Sequence, residues 1–246
     1  MNSLPVPSIT LIQGASLFLD FDGTLVEIAE RPDAVEVDPG LTDLLHRLGE
    51  KLEGRLAIVT GRPAMEAREL LGGSPMSFIG SHGLEFLWAD GRVDAVERPS
   101  SLATALNATR ELEAATSGLI VEDKPLGVAL HFRQNPAAEA ACVKLAVRLA
   151  TKLGLELQYG KMMVELRPPG ADKGSAIRKL MEEPPFCLAT PLFMGDDLTD
   201  ESAFLTASMM GGAGVLIGAQ RPSAAGYRLG GVAEARAWLL AAGEAL

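Results

Sequence analysis

The stretch "LFLDFDGTL" (residues 17–25) ends an apolar strand pattern on Asp20 and Asp22, one residue apart, and turns at once through Gly-Thr. A strand interior disfavours Asp, and two like charges this close repel unless something positive sits between them. Either both carboxylates face water at a strand end, or they hold a cation. Three more polar clusters follow apolar runs in the same way: Thr60-Gly61-Arg62, "GSHG" (80–83) with His82, and "GDDLTDE" (195–201) with Asp196, Asp197 and Asp200. Lys173 adds an ammonium at the start of a helical pattern, where the dipole and free N–H groups favour anions.

In open α/β sheets, ligands gather at the carboxyl ends of the parallel strands, so these clusters are expected on one rim. Several carboxylates without a His or Cys cluster suit a hard cation, most naturally Mg2+, with Thr60 and Lys173 suited to phosphoryl oxygens beside it. Asp20 can attack phosphorus as a carboxylate nucleophile. Asp22 can protonate the leaving oxygen and then activate water. Plainer roles exist for the same residues. A lone DxD serves as a turn or cap, Arg62 as the opening of the next helix or the partner of an acid, and His82 as loop packing instead of a substrate contact. Asp197 and Asp200 are read as groups behind the ligands, with ordinary helix capping as the alternative.

The elements that must position these groups follow from the apolar pattern. Short apolar runs alternate with amphipathic stretches, the signature of βαβ units and a mostly parallel, Rossmann-like α/β sheet. Strands are expected at 16–20, 55–60, 77–80, 192–196 and 214–218, and helices at 39–52, 62–71, 172–182, 201–208 and 232–246. The middle differs: strands at 118–124 and 127–133, a long helix at 136–153, and a pair at 155–160 and 161–167 joined by a tight Gly turn. This β-β-α-β-β pattern reads as an inserted α+β domain, an antiparallel sheet with one helix. Pro99 and Pro168-Pro169-Gly170 flank it as hinges. The expected division is a core of 1–98 and 172–246 and an insert of 99–171. Period-two alternation puts Val128, Leu130, Phe132, Val164 and Leu166 on an apolar face for the helix, and His131, Arg133, Lys161, Glu165 and Arg167 on a polar face left open.

Composition narrows the partners. A formal net charge of −10 argues against a nucleic-acid backbone or an anionic membrane, both of which require basic patches. Two cysteines are too few for a disulfide framework or a cysteine-built zinc site. The N-terminus lacks a basic and apolar signal pattern, and no apolar run is long enough to span a bilayer, so the expectation is a soluble, cytoplasmic protein.

In order along the chain, "DFDGTL" (20–25), "TGR" (60–62), "DKG" (172–174) and "GDDLTDE" resemble the four motifs of the haloacid dehalogenase superfamily of phosphohydrolases. The resemblance implies Asp20 as nucleophile, Asp22 as general acid/base, Thr60 and Lys173 on the phosphate, and Asp20, the Asp22 carbonyl and Asp196 on Mg2+. The insert lies where that superfamily places a C2-type cap. "VEDKPLGVALHFR" (121–133), "GKMMVELRP" (160–168) and "GSHGLE" (80–85) are similar to stretches of trehalose-6-phosphate phosphatases. Carried over by position, Glu122, Lys124, Arg133, Lys161 and Glu165 become candidate sugar ligands on a cap that closes and excludes water. The implied partner is a small sugar phosphate, with functional coupling to a trehalose-phosphate synthase left open. Competing readings are a sucrose-phosphate or mannosyl-phosphoglycerate phosphatase, and a non-catalytic sugar-phosphate sensor.

Overall fold

The computed structural model describes residues 3–29, 31 and 34–246. Residues 1, 2, 30, 32 and 33, all within the expected core segment 1–98, lie outside the described residues. The chain divides into two compact units, Met1–Asp94 with Ala171–Leu246, and Ala95–Gly170.

Along the chain, β1 (Ala15–Leu19), α1 (Pro39–Lys51), β2 (Leu56–Val59), α2 (Ala64–Leu70), β3 (Ser77–Gly80), β4 (Glu85–Leu87) and β5 (Val93–Ala95) come first. Next come α3 (Ser101–Ala114), β6 (Ile120–Lys124), β7 (Gly127–His131), α4 (Glu139–Leu153), β8 (Glu156–Gly160) and β9 (Met163–Arg167). The chain ends with α5 (Lys173–Leu180), β10 (Thr190–Gly195), α6 (Glu201–Met209), β11 (Ala213–Ile217), β12 (Tyr227–Leu229) and α7 (Val232–Glu244).

One sheet has the order β12-β11-β10-β1-β2-β3-β4-β5. Pairing is parallel from β12 through β3, and β4 turns back antiparallel on β3. Every residue of β1 and β2 is buried, as expected of central parallel strands covered on both faces. Alternation divides their side chains between two cores. Leu17, Leu19, Leu56 and Ile58 pack with α1, α2 and α7, while Phe18, Ala57 and Val59 pack with α5 and α6. The central strands β1 and β10 thus run side by side, with Leu19 opposite Met194, and deliver their following residues to one edge of the sheet.

In the second unit the order is β6-β7-β9-β8, all antiparallel. Val128, Leu130, Val164 and Leu166 form its core with α3 and α4. Helix α3 is absent from the expected pattern, so the unit is α-β-β-α-β-β. Much of its buried stripe is Ala105 and Thr109, small residues that dilute the apolar periodicity. The strands β4, β5 and β12 are likewise additions, each three residues long and too short to show a period. The β8–β9 turn is formed by Lys161 and Met162, the latter at φ +61°, not by Gly160, which pairs with Met163 at the strand end.

Leu130→Ala should destabilise the second unit by about 2–5 kcal/mol, through lost burial and a residual cavity. Both tryptophans, Trp88 and Trp238, sit in cores of the first unit. Urea unfolding followed by circular dichroism is therefore expected to gain an early phase that tryptophan fluorescence does not show. An equal shift of both signals would mean that the two cores unfold as one.

Candidate active site

The turn after β1 is closed by one carbonyl. Phe21 O accepts the N–H groups of Leu25 (2.9 Å), Val26 (3.1 Å) and Thr24 (3.3 Å). Gly23 must take φ +84°, and a Cβ there would run into the Asp196 carboxylate, so only glycine allows these two loops to approach. The Asp20 N–H donates to Met194 O at 2.9 Å, which continues the ladder to β10 and brings Asp20 beside the β10 end that carries Asp196. Thr24 Oγ1 lies 3.3 Å from Asp20 Oδ2.

Lys173 arrives from the other side as the first residue of α5. Asp172 caps that helix by accepting from Ser175 N at 2.6 Å, and Ser175 Oγ accepts from Asp172 N at 2.9 Å, a reciprocal box that fixes where the helix starts. The ammonium then lies 2.6 Å from Asp20 Oδ1 and 2.6 Å from Asp200 Oδ1, with all three side chains buried. Asp200 Oδ2 is taken by Asp197 N–H at 2.8 Å, so Asp200 is oriented from both ends.

Asp20, Asp196 and Asp200 are all buried, and each has a ligand atom within 4.8 Å of the others'. Burial pushes the Asp20 carboxyl well above the usual carboxylate range; Lys173 opposes the rise, and Asp200 and Asp196 add to it. For Lys173 burial works downward, but Asp20 and Asp200 outweigh it and hold the ammonium above its ordinary value. One lysine among three buried carboxylates leaves an excess of negative charge that a divalent cation would offset. The donor set is all oxygen and packed against a glycine that admits no Cβ, which fits a hard cation such as Mg2+.

Asp22 is turned away from this cluster. Arg62 holds it bidentately, Nε to Oδ2 at 2.7 Å and Nη2 to Oδ1 at 2.8 Å, and also pairs through Nη1 with Glu66. Burial opposes the charge of Arg62, yet these acids keep it firmly protonated. Thr60 is buried at the end of β2, and its Oγ1 accepts from Arg62 N at 3.1 Å. His82 meets this loop through its backbone and its ring: its backbone N–H donates to Thr60 O at 3.0 Å, and the ring lies 2.6 Å from where a Cβ on Gly61 would stand. Ser81 and His82 take φ +48° and +56°. Such left-handed conformations cost about 1–3 kcal/mol each outside glycine and persist only where surroundings enforce them. Asp197 accepts from Leu198 N at 2.7 Å, a capping role, so of the pair in "GDD" only Asp196 joins the acidic cluster.

In the second unit the register aligns Glu122, Ala129, Glu165 and Gln158 in one row, with Lys124, Gly127, Arg167 and Glu156 in the next. The expected open face is only partly open. Glu165 is fully buried and Lys124 nearly so, joined at 2.7 Å. The absent side chain of Gly127 makes room, since a Cβ there would strike the Glu165 carboxylate. Glu122 pairs with His131 at 2.8 Å, and Arg133 donates to Lys161 O at 3.1 Å beyond the strand ends. The five expected residues therefore fall along one face, as a buried Lys–Glu pair flanked by a Glu–His pair and an exposed turn.

Several residues of these networks are not singled out from the sequence. Glu66 could have been found from its i, i+4 spacing to Arg62 on a helix start. Thr24 reaches Asp20 within its own turn, whereas Glu85 on Ala64 and His131 on Glu122 depend on contacts made only after the strands pair.

A buried aspartate–lysine contact at the carboxyl edge of a Rossmann-like sheet, with an inserted antiparallel unit, defines a hydrolase of the haloacid dehalogenase type. The family described as trehalose-phosphatase matches residues 18–232, and the chain belongs to it. It is 39% identical over 227 residues, 90% of this chain and 84% of the relative, to a probable trehalose-phosphate phosphatase of Sinorhizobium fredii (strain NBRC 101917 / NGR234). It is 38% identical over 225 residues, with the same two shares, to the trehalose-6-phosphate phosphatase of Escherichia coli (strain K12). The crystal structure of a trehalose-6-phosphate phosphatase related protein superposes with a TM-score of 0.78 at 30% identity, covering 93% of this chain and 97% of that one.

A carboxyl with a raised folded value stabilises the fold while protonated, below its unfolded value of about 3.9, and that stability is lost as pH rises through the folded value. Without a divalent cation, the buried Asp20 carboxyl burdens the fold wherever it is ionised, so Asp20→Asn should leave the urea midpoint unchanged or raised. Lys173→Met strands two buried carboxylates and should lower stability by about 3–5 kcal/mol. The reverse order of effects, measured with a chelator present, would contradict this electrostatic balance.

Proposed function

We propose that the chain is a magnesium-dependent phosphatase that hydrolyses trehalose 6-phosphate to trehalose and phosphate through a phosphoenzyme on Asp20. The observation that carries the reading is the Lys173 ammonium, held between Asp20 and Asp200 beside Asp196 in a chain of the trehalose-phosphatase family. Asp20 attacks phosphorus, with Lys173 keeping one of its oxygens in place and Asp200 holding Lys173. Thr60 already accepts the Arg62 N–H, so its own proton is free to be given to a phosphoryl oxygen. The Gly61 backbone and Lys173 complete that cradle. Bound by Asp20, Asp196 and the Asp22 carbonyl, Mg2+ would offset the charge on the phosphoryl oxygens.

Asp22 protonates the departing sugar oxygen and later takes a proton from the water that releases phosphate from Asp20. Both its oxygens are engaged by Arg62, so proton donation requires one of those two bonds to be given up. The sugar hydroxyls are assigned to the polar face of the second unit. Glu165 and Lys124 stand at its middle, with Glu122 beside them and Arg133 and Lys161 at its end.

No described helix is long and apolar enough to cross a membrane. Cys142 and Cys187 are both free, which suits the reducing cytoplasm that we assign. A trehalose-phosphate synthase would supply the substrate, and functional coupling to one belongs to the same proposal.

The test is phosphate release from trehalose 6-phosphate, with and without Mg2+, beside sucrose 6-phosphate, glucose 6-phosphate and an aryl phosphate. Magnesium-dependent release confined to trehalose 6-phosphate among the sugar phosphates is expected, and Asp20→Asn should reduce kcat by at least about 10³-fold. Glu165→Ala should spare the aryl phosphate and harm the disaccharide. Release from another sugar phosphate would keep the Asp20 chemistry and reassign the sugar, and binding without release would make the chain a sensor.

A further inference from the structure

The loop after β3 grips the Thr60–Arg62 segment with its backbone. Ser81 N donates to Arg62 O at 2.9 Å and His82 N to Thr60 O at 3.0 Å, both from left-handed residues. Ser81, the first of the two, is tied down by Glu85, at the start of β4. Its Oε1 accepts the Ser81 hydroxyl at 2.7 Å and the Ala64 N–H at 3.1 Å. Ala64 opens α2, whose preceding residue Pro63 offers no side-chain cap, so Glu85 supplies from another strand the capping acceptor that Pro63 cannot. One oxygen thus ties the loop that follows Arg62 to the loop that overlies Thr60.

Gly80 seals the arrangement: a Cβ there would stand 2.7 Å from Arg62 O and 2.7 Å from Glu85 Oε1. Gly83, at φ +102°, carries the same loop to within 2.8 Å of Asp172 O, measured from its absent Cβ, one residue before Lys173. The loop therefore touches the backbones of both segments that present phosphate-binding groups. Glu85 itself takes no part in the acidic cluster of Asp20, Asp196 and Asp200.

We propose that Glu85 is a positioning residue for phosphoryl transfer: by bridging Ser81 and Ala64 it fixes the loop that aims the Thr60 hydroxyl. The inference rests on Thr60 as a phosphate-binding group, and is independent of which sugar the enzyme takes.

Its test uses the full chain with Mg2+, an aryl phosphate as substrate and inorganic phosphate as competing inhibitor. Glu85→Gln keeps an oxygen that can accept both bonds, and should stay within about 3-fold of the unaltered protein in kcat/KM and in the phosphate inhibition constant. Glu85→Ala should lower kcat/KM and weaken phosphate inhibition by about 10–100-fold, the scale expected of a misplaced catalytic segment. Ser81→Gly tolerates φ +48° and removes only the hydroxyl, so it should shift both constants in the same direction by a smaller factor.

Wild-type phosphate inhibition in folded Glu85→Ala, or a Glu85→Gln as impaired as Glu85→Ala, overturns the proposal. If Glu85→Ala does not fold, unchanged inhibition in Ser81→Gly overturns it instead. Hydrolysis of the aryl phosphate without hydrolysis of trehalose 6-phosphate would unseat the sugar assignment and leave this inference standing.

Discussion

The contact between the Lys173 ammonium and two buried carboxylates, Asp20 and Asp200, is the constraint around which the first unit is organised. Three acids drawn into a buried sheet edge repel one another, and burial favours the neutral form of Asp20. One lysine reverses part of that penalty only if it is delivered accurately. Its delivery depends on the reciprocal Asp172–Ser175 cap that sets the first residue of α5. It depends as well on the central pairing of β1 with β10, which sets Asp20 beside Asp196. The residual negative charge is what makes the place suitable for a hard cation and a phosphoryl group together.

Close approach of loops is the second requirement, and glycine meets it at the decisive point. Gly23 sits where any side chain would displace the Asp196 carboxylate. Elsewhere the protein tolerates strain instead: Ser81 and His82 hold left-handed conformations above the Thr60 segment. Strain of this kind survives only because hydrogen bonds from both residues, and the carboxylate of Glu85, over-determine the loop.

The second unit solves a different problem with a similar device. A sheet with one apolar face normally leaves its other face to water. Here Gly127 and Ala129 leave space at the centre of that polar face, and Glu165 folds across Gly127 to meet Lys124 in a buried pair. A buried pair of this sort contributes little net stability compared with apolar residues of the same volume. Its presence is better understood as a fixed array of donors and acceptors than as a support for the fold.

The periodicity of the sequence placed the central strands to within about two residues, because each is an unbroken apolar run between turn residues. It located Asp20, Thr60, Lys173 and Asp196 as well, since each directly follows such a run or opens a helix. Helix α3 escaped notice because Ala105 and Thr109 carry its buried face, and β4, β5 and β12 because three residues show no period. Residue types and order along the chain thus determined the central strands of the sheet, the family, and which acidic, hydroxyl and lysine groups lie at the strand and helix ends. Only the tertiary structure decided that Asp22 faces Arg62 and not the acidic cluster, that His82 packs on Gly61, and that Glu85 bridges Ser81 and Ala64. Those contacts join residues from separate loops whose approach is set by strand pairing and packing, and no local spacing encodes such a meeting.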